Sequence, residues 1–588
     1  MISKWNYLPL TSEEREIEEQ LAVKFPNCPS IARLLVQRGV KTWDEAQQFF
    51  YPSLNQMPDP FLMRDMEKAV ERLNEALGSK EKIMVYGDYD VDGTTAVALV
   101  YRYLQNFYSN IVYYVPTRDD EGYGISLQSV DYAASIGVKL IIVLDCGIKA
   151  IEEIAYAKSK GIDFIVCDHH VPDDVLPDAV AILNPKLKDD KYPFKELSGC
   201  GVGFKFMQAF AKSNGINNIY DLESLLDLLA VSIAADIVPI VGENRIMAYY
   251  GLKRLNSNPN VGLRSIIRLC GLGNKELTIS DIIFKIGPRI NASGRMESGA
   301  ESVELLVTKN LSQANEISKR IDQYNKNRKS LDRQITEEAN KIIKEHKAQI
   351  QGRKPIVIYD RNWHKGIIGI VASRLAEFYF RPSVVLTYAD NGIATGSSRS
   401  VRGFDVYSAI RSCRDLLENF GGHTNAVGLS IKEENIKEFR HRLSDYVEQH
   451  IQDDQITPQL NLDCEIDFEA INSALLKTMR LFNPFGPENP KPLFFTRNVY
   501  DSGTSKIVGK KMEHIKLDLV DGKSKKVMNG IAFNMAKHFD YIKSHRPFDI
   551  CYTIEESKHR NNTTVQLQVK GIRIHVDSQA TPPHGQGA

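Results

Sequence analysis

Five short apolar runs rich in β-branched residues, KIMVYG, NIVYYV, KLIIVLD, DFIVCD and AVAILN, follow one another between residues 82 and 184. Helical stretches separate them, among them TTAVALVYRYLQNF, SLQSVDYAASIG and IEEIAYAKSKG. Strands of this kind, joined by crossover helices, pair in parallel and need helices on both faces, because right-handed βαβ units bury each strand on two sides. The expectation is an α/β fold. With 588 residues the chain holds several domains of ordinary size. A hydrophobic share of 43% and a charged share of 25% are those of a chain that buries several cores, not of a disordered or collagen-like one.

The pattern changes along the chain. Residues 1–80 read as a polar, amphipathic helical segment. From Leu311 to Gln351 there is no Gly or Pro, and Leu311, Ala314, Ile317, Ile321, Leu331, Ile335, Ala339 and Ile342 form one stripe. A continuous helix there would be about 60 Å long. Its many lysines and arginines make either a solvated face or an edge turned to DNA. KPIVIYD, SVVLTYA and GIATGSS restart a smaller α/β pattern, and the runs from NVYDSGTSKIVG to TTVQLQVKGIRI alternate as in a small β-barrel. The predicted limits are 1–80, 81–308 for the first α/β domain, 309–352 for the connecting helix, 353–455 for the second α/β domain, 460–575 for the barrel and 576–588 for a tail.

The 74 basic residues cancel the 74 acidic ones, so the chain cannot coat nucleic acid by net charge. Between Ser505 and Arg573, however, 14 Lys and Arg face 7 Asp and Glu, and a basic barrel suits a phosphate backbone. Eight scattered cysteines without a CxxC pair read as reduced core residues of a cytoplasmic protein. The opening MISKWNYLPLTSEERE turns charged too soon for a signal peptide, and Asp227, Asp236 and Pro239 interrupt the most apolar stretch, Leu225 to Val241, so no membrane is expected.

Three strand ends carry acids: GDYDVDG with Asp88, Asp90 and Asp92, LDCG with Asp145, and CDHH with Asp168, His169 and His170. Ligand sites of open parallel sheets form outside the carboxyl ends of the strands, so these groups converge. Carboxylates so crowded repel unless a cation offsets them. The calcium-loop reading of DxDxDG fails, since position twelve is Leu99 and a strand precedes the loop. Asp236, in SIAADIVPI, reads equally as a cap or a ligand. Carboxylates with imidazole and no thiolate favour Mn²⁺ or Mg²⁺, and there are oxygens enough for two ions, the arrangement that clamps both oxygens of a phosphoryl displacement. No GxxxxGK[ST] occurs, because Leu517 stands where Gly522-Lys523-Ser524 needs a glycine, and GCGVGF lacks the last glycine of a dinucleotide loop.

GDYDVDG, LDCG and CDHH resemble the signature blocks of the DHH phosphoesterases. VPTRDDEGYGIS, ELSGCGVGFKF, SIAADIVPI and PRINASGRM, in that order, resemble the RecJ family of bacterial single-strand-specific exonucleases within them. WHKGIIGIVASRL, GSSRS and GGHTNAVG resemble the companion DHHA1 domain, and FNPFGPENPKPLF the entry to an oligonucleotide-binding (OB-fold) barrel. The likeness covers roughly residues 45–575. It implies a 5′-to-3′ exonuclease of DNA repair and recombination that releases 5′-mononucleotides from single-stranded DNA. Asp90, Asp92, Asp145, His169 and Asp236 would bind two metal ions, with Asp145 shared; His170 would stand by the scissile phosphate, Asp88 behind the ligands, and Asp168 would orient His169. Arg118, Ser397 and Arg399 would hold the 5′-terminal phosphate, Arg289, Asn291 and Arg295 the backbone near the cut, and His423 the strand from the companion domain. A single-strand-binding protein and a helicase are the implied partners. Two rivals are a phosphoesterase of short oligonucleotides or cyclic dinucleotides and a non-catalytic scaffold. From the residues alone, Gly421-Gly422 reads as a close approach to a ligand or a plain turn, and Trp363 as core packing before base stacking.

Overall fold

The computed structural model describes residues 4–7, 9–118, 120–216, 222–346, 352–559 and 562–575. The chain forms two compact units, residues 52–456 with 484–488, and residues 1–51 with 457–483 and 489–588.

In the first unit the five apolar runs are the strands β1 (Lys82–Gly87), β2 (Ile111–Tyr114), β3 (Val138–Leu144), β4 (Asp163–Cys167) and β5 (Ala181–Leu183). They make one fully parallel sheet in the order β2-β1-β3-β4-β5. Their near-continuous apolarity has the expected cause, for each face is covered. Ile83, Val85, Leu140 and Ile142 join the core of helices α1 (Val91–Gln105), α2 (Gly199–Ser213) and α3 (Leu226–Ala235). Met84, Tyr86, Ile141 and Val143 join the opposite core with Ile154 and Ala157. Helix α4 (Gly287–Met296) leads towards α5 (Leu311–Glu345), 35 residues or about 52 Å long. Its stripe serves two cores. Ala314, Ile317 and Ile321 pack with the parallel-sheet region, and Ile335, Ala339 and Ile343 with the second sheet. The predicted end of this helix, residues 347–351, falls outside the described residues.

The second sheet holds β6 (Ile356–Tyr359), β7 (Ser383–Asp390), β8 (Ile393–Arg399), β9 (Leu417–His423) and β10 (Ala426–Lys432) in the order β9-β10-β8-β7-β6. Only β6 and β7 are parallel. Helix α6 (Ile368–Tyr379) covers it, and Trp363 is buried between α5 and this sheet, donating from Nε1 to Glu338 at 2.8 Å. The core reading of Trp363 holds.

In the other unit, β11 (Phe494–Asp501), β12 (Lys506–Val508), β13 (His514–Asp521), β14 (Val527–Ala532), β15 (Phe548–His559) and β16 (Asn562–Ile574) run in the order β11-β15-β16-β14-β13-β12. A further pairing of β11 with β13 closes five of them into a barrel, the OB-type architecture expected. Three helices, Ser12–Ala22, Ser30–Val36 and Trp43–Phe50, lie in the segment expected to be helical, but Lys4–Tyr7 is a strand, parallel to Gln459–Leu462 of the same unit. Its alternation, Lys-Trp-Asn-Tyr, spans only four residues, too few to announce a strand. The tail beyond His575 lies outside the described residues.

A candidate metal centre at the strand ends

Asp90 caps α1, accepting from Gly93 N at 3.0 Å. The tight turn leaves Gly93 no room for a Cβ, which would stand 2.4 Å from the Asp88 carbonyl. Asp92, two residues on, is buried and held by three donors: Gly199 N and Cys200 N donate to it at 2.6 and 2.9 Å, and Ser232 Oγ at 2.7 Å. Since Ser232 spends its proton on Asp92, the 2.7 Å contact between the two serine hydroxyls must be donated by Ser198, itself the acceptor of Gly201 N. GCGVGF is therefore a cradle for a carboxylate rather than a nucleotide loop. The opening of α2 meets an anion with free amides and its positive dipole end.

Asp145 follows β3 in the left-handed region, with φ 61°. A Cβ on Gly199 would lie 2.5 Å from its own Cβ, so α2 can approach only as glycine. His169 Nε2 lies 3.2 Å from Asp145 Oδ1, 3.6 Å from Asp236 Oδ2 and 3.8 Å from Asp92 Oδ2. Asp92, His169 and Asp236 form one group with ligand atoms within 4.8 Å of one another, and Asp145, His169 and His170 form another. His169 belongs to both. Asp88 and Asp90 stand outside these two triads, though each repels Asp145 electrostatically.

The electrostatics call for a cation. Burial pushes Asp145, Asp236 and Asp88 well above the usual carboxylate range, and repulsion from Asp92 or Asp90 adds to it. Burial also holds the His169 pKa down, and neither of its ring nitrogens has a hydrogen-bond partner among the described residues. Neutral imidazole, crowded carboxylate oxygens and no thiolate fit Mn²⁺ or Mg²⁺.

Asp168 behaves differently from the expectation that it orients His169. Its carboxylate accepts from His170 Nδ1 at 2.7 Å, and from the backbone N–H groups of Ile148, His169 and His170. The ring it fixes is that of His170. Burial would raise the Asp168 pKa, but these bonds and the His170 charge hold it at about 2. Burial would lower the His170 pKa, and Asp168 lifts it above the ordinary imidazole value instead. The other His170 nitrogen, Nε2, lies 3.4 Å from the hydroxyl of Tyr123, a residue that sequence reasoning missed because only its motif, not its side chain, carried a signal.

Near this centre three guanidiniums repel one another electrostatically. Arg118 lies over the Tyr89 ring, Arg399 donates to Ser397 Oγ at 2.7 Å, and Arg295 donates to the Gly366 carbonyl at 3.2 Å. None of the three forms an ion pair with a carboxylate among the described residues. Burial lowers the Arg295 pKa to about 10, and repulsion from Arg118, Arg328 and Arg399 adds to the shift. Arg328, on α5, was not expected there. His423, at the end of β9, is an electrostatic neighbour of both Arg399 and His170. Gly422 serves the hairpin itself, since a Cβ there would strike the Ala426 carbonyl at 2.2 Å. Two expected strand contacts are otherwise engaged. Arg289 forks between Asp322 (2.9 Å) and the Lys285 carbonyl (2.8 Å), and Asn291 accepts from Val91 N at 3.1 Å, bracing the start of α1.

Residues 82–233 match the model of the DHH family, N-terminal domain, residues 352–449 that of the DHHA1 domain, and residues 462–571 that of the RecJ OB domain. The single-stranded-DNA-specific exonuclease RecJ of Bacillus subtilis (strain 168) is 34% identical over 567 residues, 96% of this chain and 70% of the relative. Its namesake of Escherichia coli (strain K12) is 31% identical over 575 residues, 95% of this chain and 98% of the relative. The chain belongs to the RecJ family. Among solved structures, RecJ of Thermus thermophilus in complex with Mn²⁺ superposes with a TM-score of 0.82 over 98% of this chain and 80% of that one, at 24% identity. An exonuclease RecJ bound to manganese matches at 30% identity with a TM-score of 0.57, covering 68% of this chain and 97% of that one. Membership of the RecJ family makes the parallel sheet the DHH domain and the second sheet the DHHA1 domain.

Proposed function

We propose that this RecJ-family chain is a single-stranded-DNA-specific 5′-to-3′ exonuclease that hydrolyses phosphodiesters to 5′-mononucleotides. The observation that carries the reading is the placing of an arginine cluster without carboxylate partners beside a carboxylate–histidine centre: one site holds a terminal phosphate, the other cuts the bond behind it. Asp92, Asp145, His169 and Asp236, with Asp90 at the cap of α1, would hold divalent ions, Mn²⁺ or Mg²⁺. When bound, such ions lower the pKa of water and stabilise charge on the phosphoryl oxygens.

The chain's own residues do the rest. Arg118, Arg399 and Ser397 fix the 5′ phosphate by planar, multidentate donation, and thereby set the polarity of cutting. Arg295 and His423 hold the strand beside the cut. Asp168 fixes the His170 ring through Nδ1, leaving Nε2 to give a proton to the departing 3′ oxygen. The basic barrel extends the grip on the strand. A free 5′-ended strand must be peeled from a duplex and kept open, so a helicase and a single-strand-binding protein are the partners this reading assigns, in the cytoplasm. No helix among the described residues is long and apolar enough to cross a membrane.

Digestion of 5′-labelled and 3′-labelled strands, single or in blunt duplex, with Mn²⁺ or with chelator, tests polarity, strand choice and metal need together. Early release of label from the 5′-labelled strand alone is expected; release from the 3′ end first, or equal attack on blunt duplex, would refute the proposal.

A further inference from the structure

The residue after Asp236 breaks a local rule. Asp236 ends α3 in the right-handed region, and Ile237 takes the next position with φ 60°. That position after a helix favours glycine, since a Cβ is strained there, and a β-branched side chain is the worst choice. Packing does not compensate, because Ile237 is 59% exposed. A strained side chain kept in solvent beside a chemical centre points to use by a ligand.

A second exposed apolar side chain belongs to the element that packs against this end of the helix. Phe284, 72% exposed, projects from the π-helical turn Ile282–Ile286. That turn abuts the same end of α3, for a Cβ on Gly287 would touch the Ala235 Cβ at 3.3 Å. π-turns are uncommon and concentrate at functional sites. Asp236 Oδ2, one residue from Ile237, is 3.6 Å from His169 Nε2.

We propose that Ile237 and Phe284 form an apolar shelf that receives a nucleobase of the nucleotides flanking the scissile phosphate. This rests on the nuclease reading, and it assigns a base contact where that reading has only phosphate contacts. Continuity with the metal centre selects the occupant, because a protein docked on this shelf would obstruct the strand. A base offers an apolar face that any sequence supplies, which suits an enzyme that must advance through all of them.

The test uses the full chain with Mn²⁺ and 5′-phosphorylated single strands, ordinary or abasic at the first two positions. Ile237→Gly and Phe284→Ala should each raise KM on the ordinary strand about fivefold, with kcat within about twofold, as expected for a lost stacking contact. On the abasic strand, parent and variants should share one KM. Ile237→Gly should melt no lower than the parent, since it relieves strain. An unchanged KM on the ordinary strand, or an equal loss on both strands, would overturn the shelf. A parent that releases no nucleotide from either strand would sink the nuclease reading and the shelf with it.

Discussion

Ser232 Oγ donates to Asp92 Oδ1 at 2.7 Å, deep under the metal centre, and joins α3 to the acid that opens α1. The bond fixes the rotamer of a carboxylate whose remaining donors are two backbone amides. Ser232→Ala should raise the Mn²⁺ concentration needed for half-maximal nucleotide release about 10–100-fold, with most of the rate recovered at saturating metal. Superimposable Mn²⁺ activation curves would dismiss this supporting role.

Asp145 is buried among like charges, so removing its charge should cost activity without costing stability. Asn tolerates the left-handed backbone that Asp145 adopts. In chelator, Asp145→Asn should melt at or above the parent temperature while releasing no nucleotides. Mn²⁺ at about 100 times its Kd should stabilise the parent by about 2.7 kcal/mol and the variant much less. A variant that melts lower in chelator would contradict the repulsion inferred here.

The arginine cluster predicts discrimination by end group. Arg399→Ala should slow digestion of 5′-phosphorylated strands by about 10–150-fold, the kinetic equivalent of a charged hydrogen bond worth about 1.5–3 kcal/mol. Strands with a 5′ hydroxyl should lose far less. Arg399→Lys should restore little, because an ammonium lacks the planar fork. Equal slowing on both ends would mean that Arg399 does not read the terminal phosphate.

Asp521 gives the barrel a dependence on acid. Burial would raise its pKa, but Ser524 Oγ, Lys523 N and Phe468 N donate to it and hold it below the ordinary 3.8. A folded pKa below the unfolded one means that the stabilisation is complete above pH 3.8 and drains away as pH falls through the folded value. Asp521→Asn should lower stability at pH 7 by about 1–3 kcal/mol, and its melting temperature should fall less steeply below pH 4 than the parent's. Parallel acid limbs would show that the carboxylate is not the group being titrated.

The parts of the site written in short stretches were legible. A strand followed at once by GDYDVDG or CDHH places its acids by strand geometry alone, and the 3.6-residue stripe of α5 announces a long helix. Rotamers and distant pairings were not legible. Whether Asp168 serves His169 or His170 depends on which way one carboxylate turns, and both imidazoles lie within two residues of it in sequence. Arg289 reads like any arginine of a polar helix until α5 brings Asp322 to it across 33 positions. Ser232 looked like a small residue in an apolar helix, and nothing in SIAADIVPI says that Asp92 waits above it. The strand at Lys4–Tyr7 carries too few residues for periodicity to speak.

That strand also sets the order of assembly. Asn6 donates to the side chain of Gln459, 453 positions further on, within a parallel pairing of four residues. The opening segment leaves the ribosome long before its companion exists, so it must wait, unpaired, while the sheet-bearing unit is made and folded. A tag fused ahead of this strand therefore loads a joint that cannot close until residue 462 has been made.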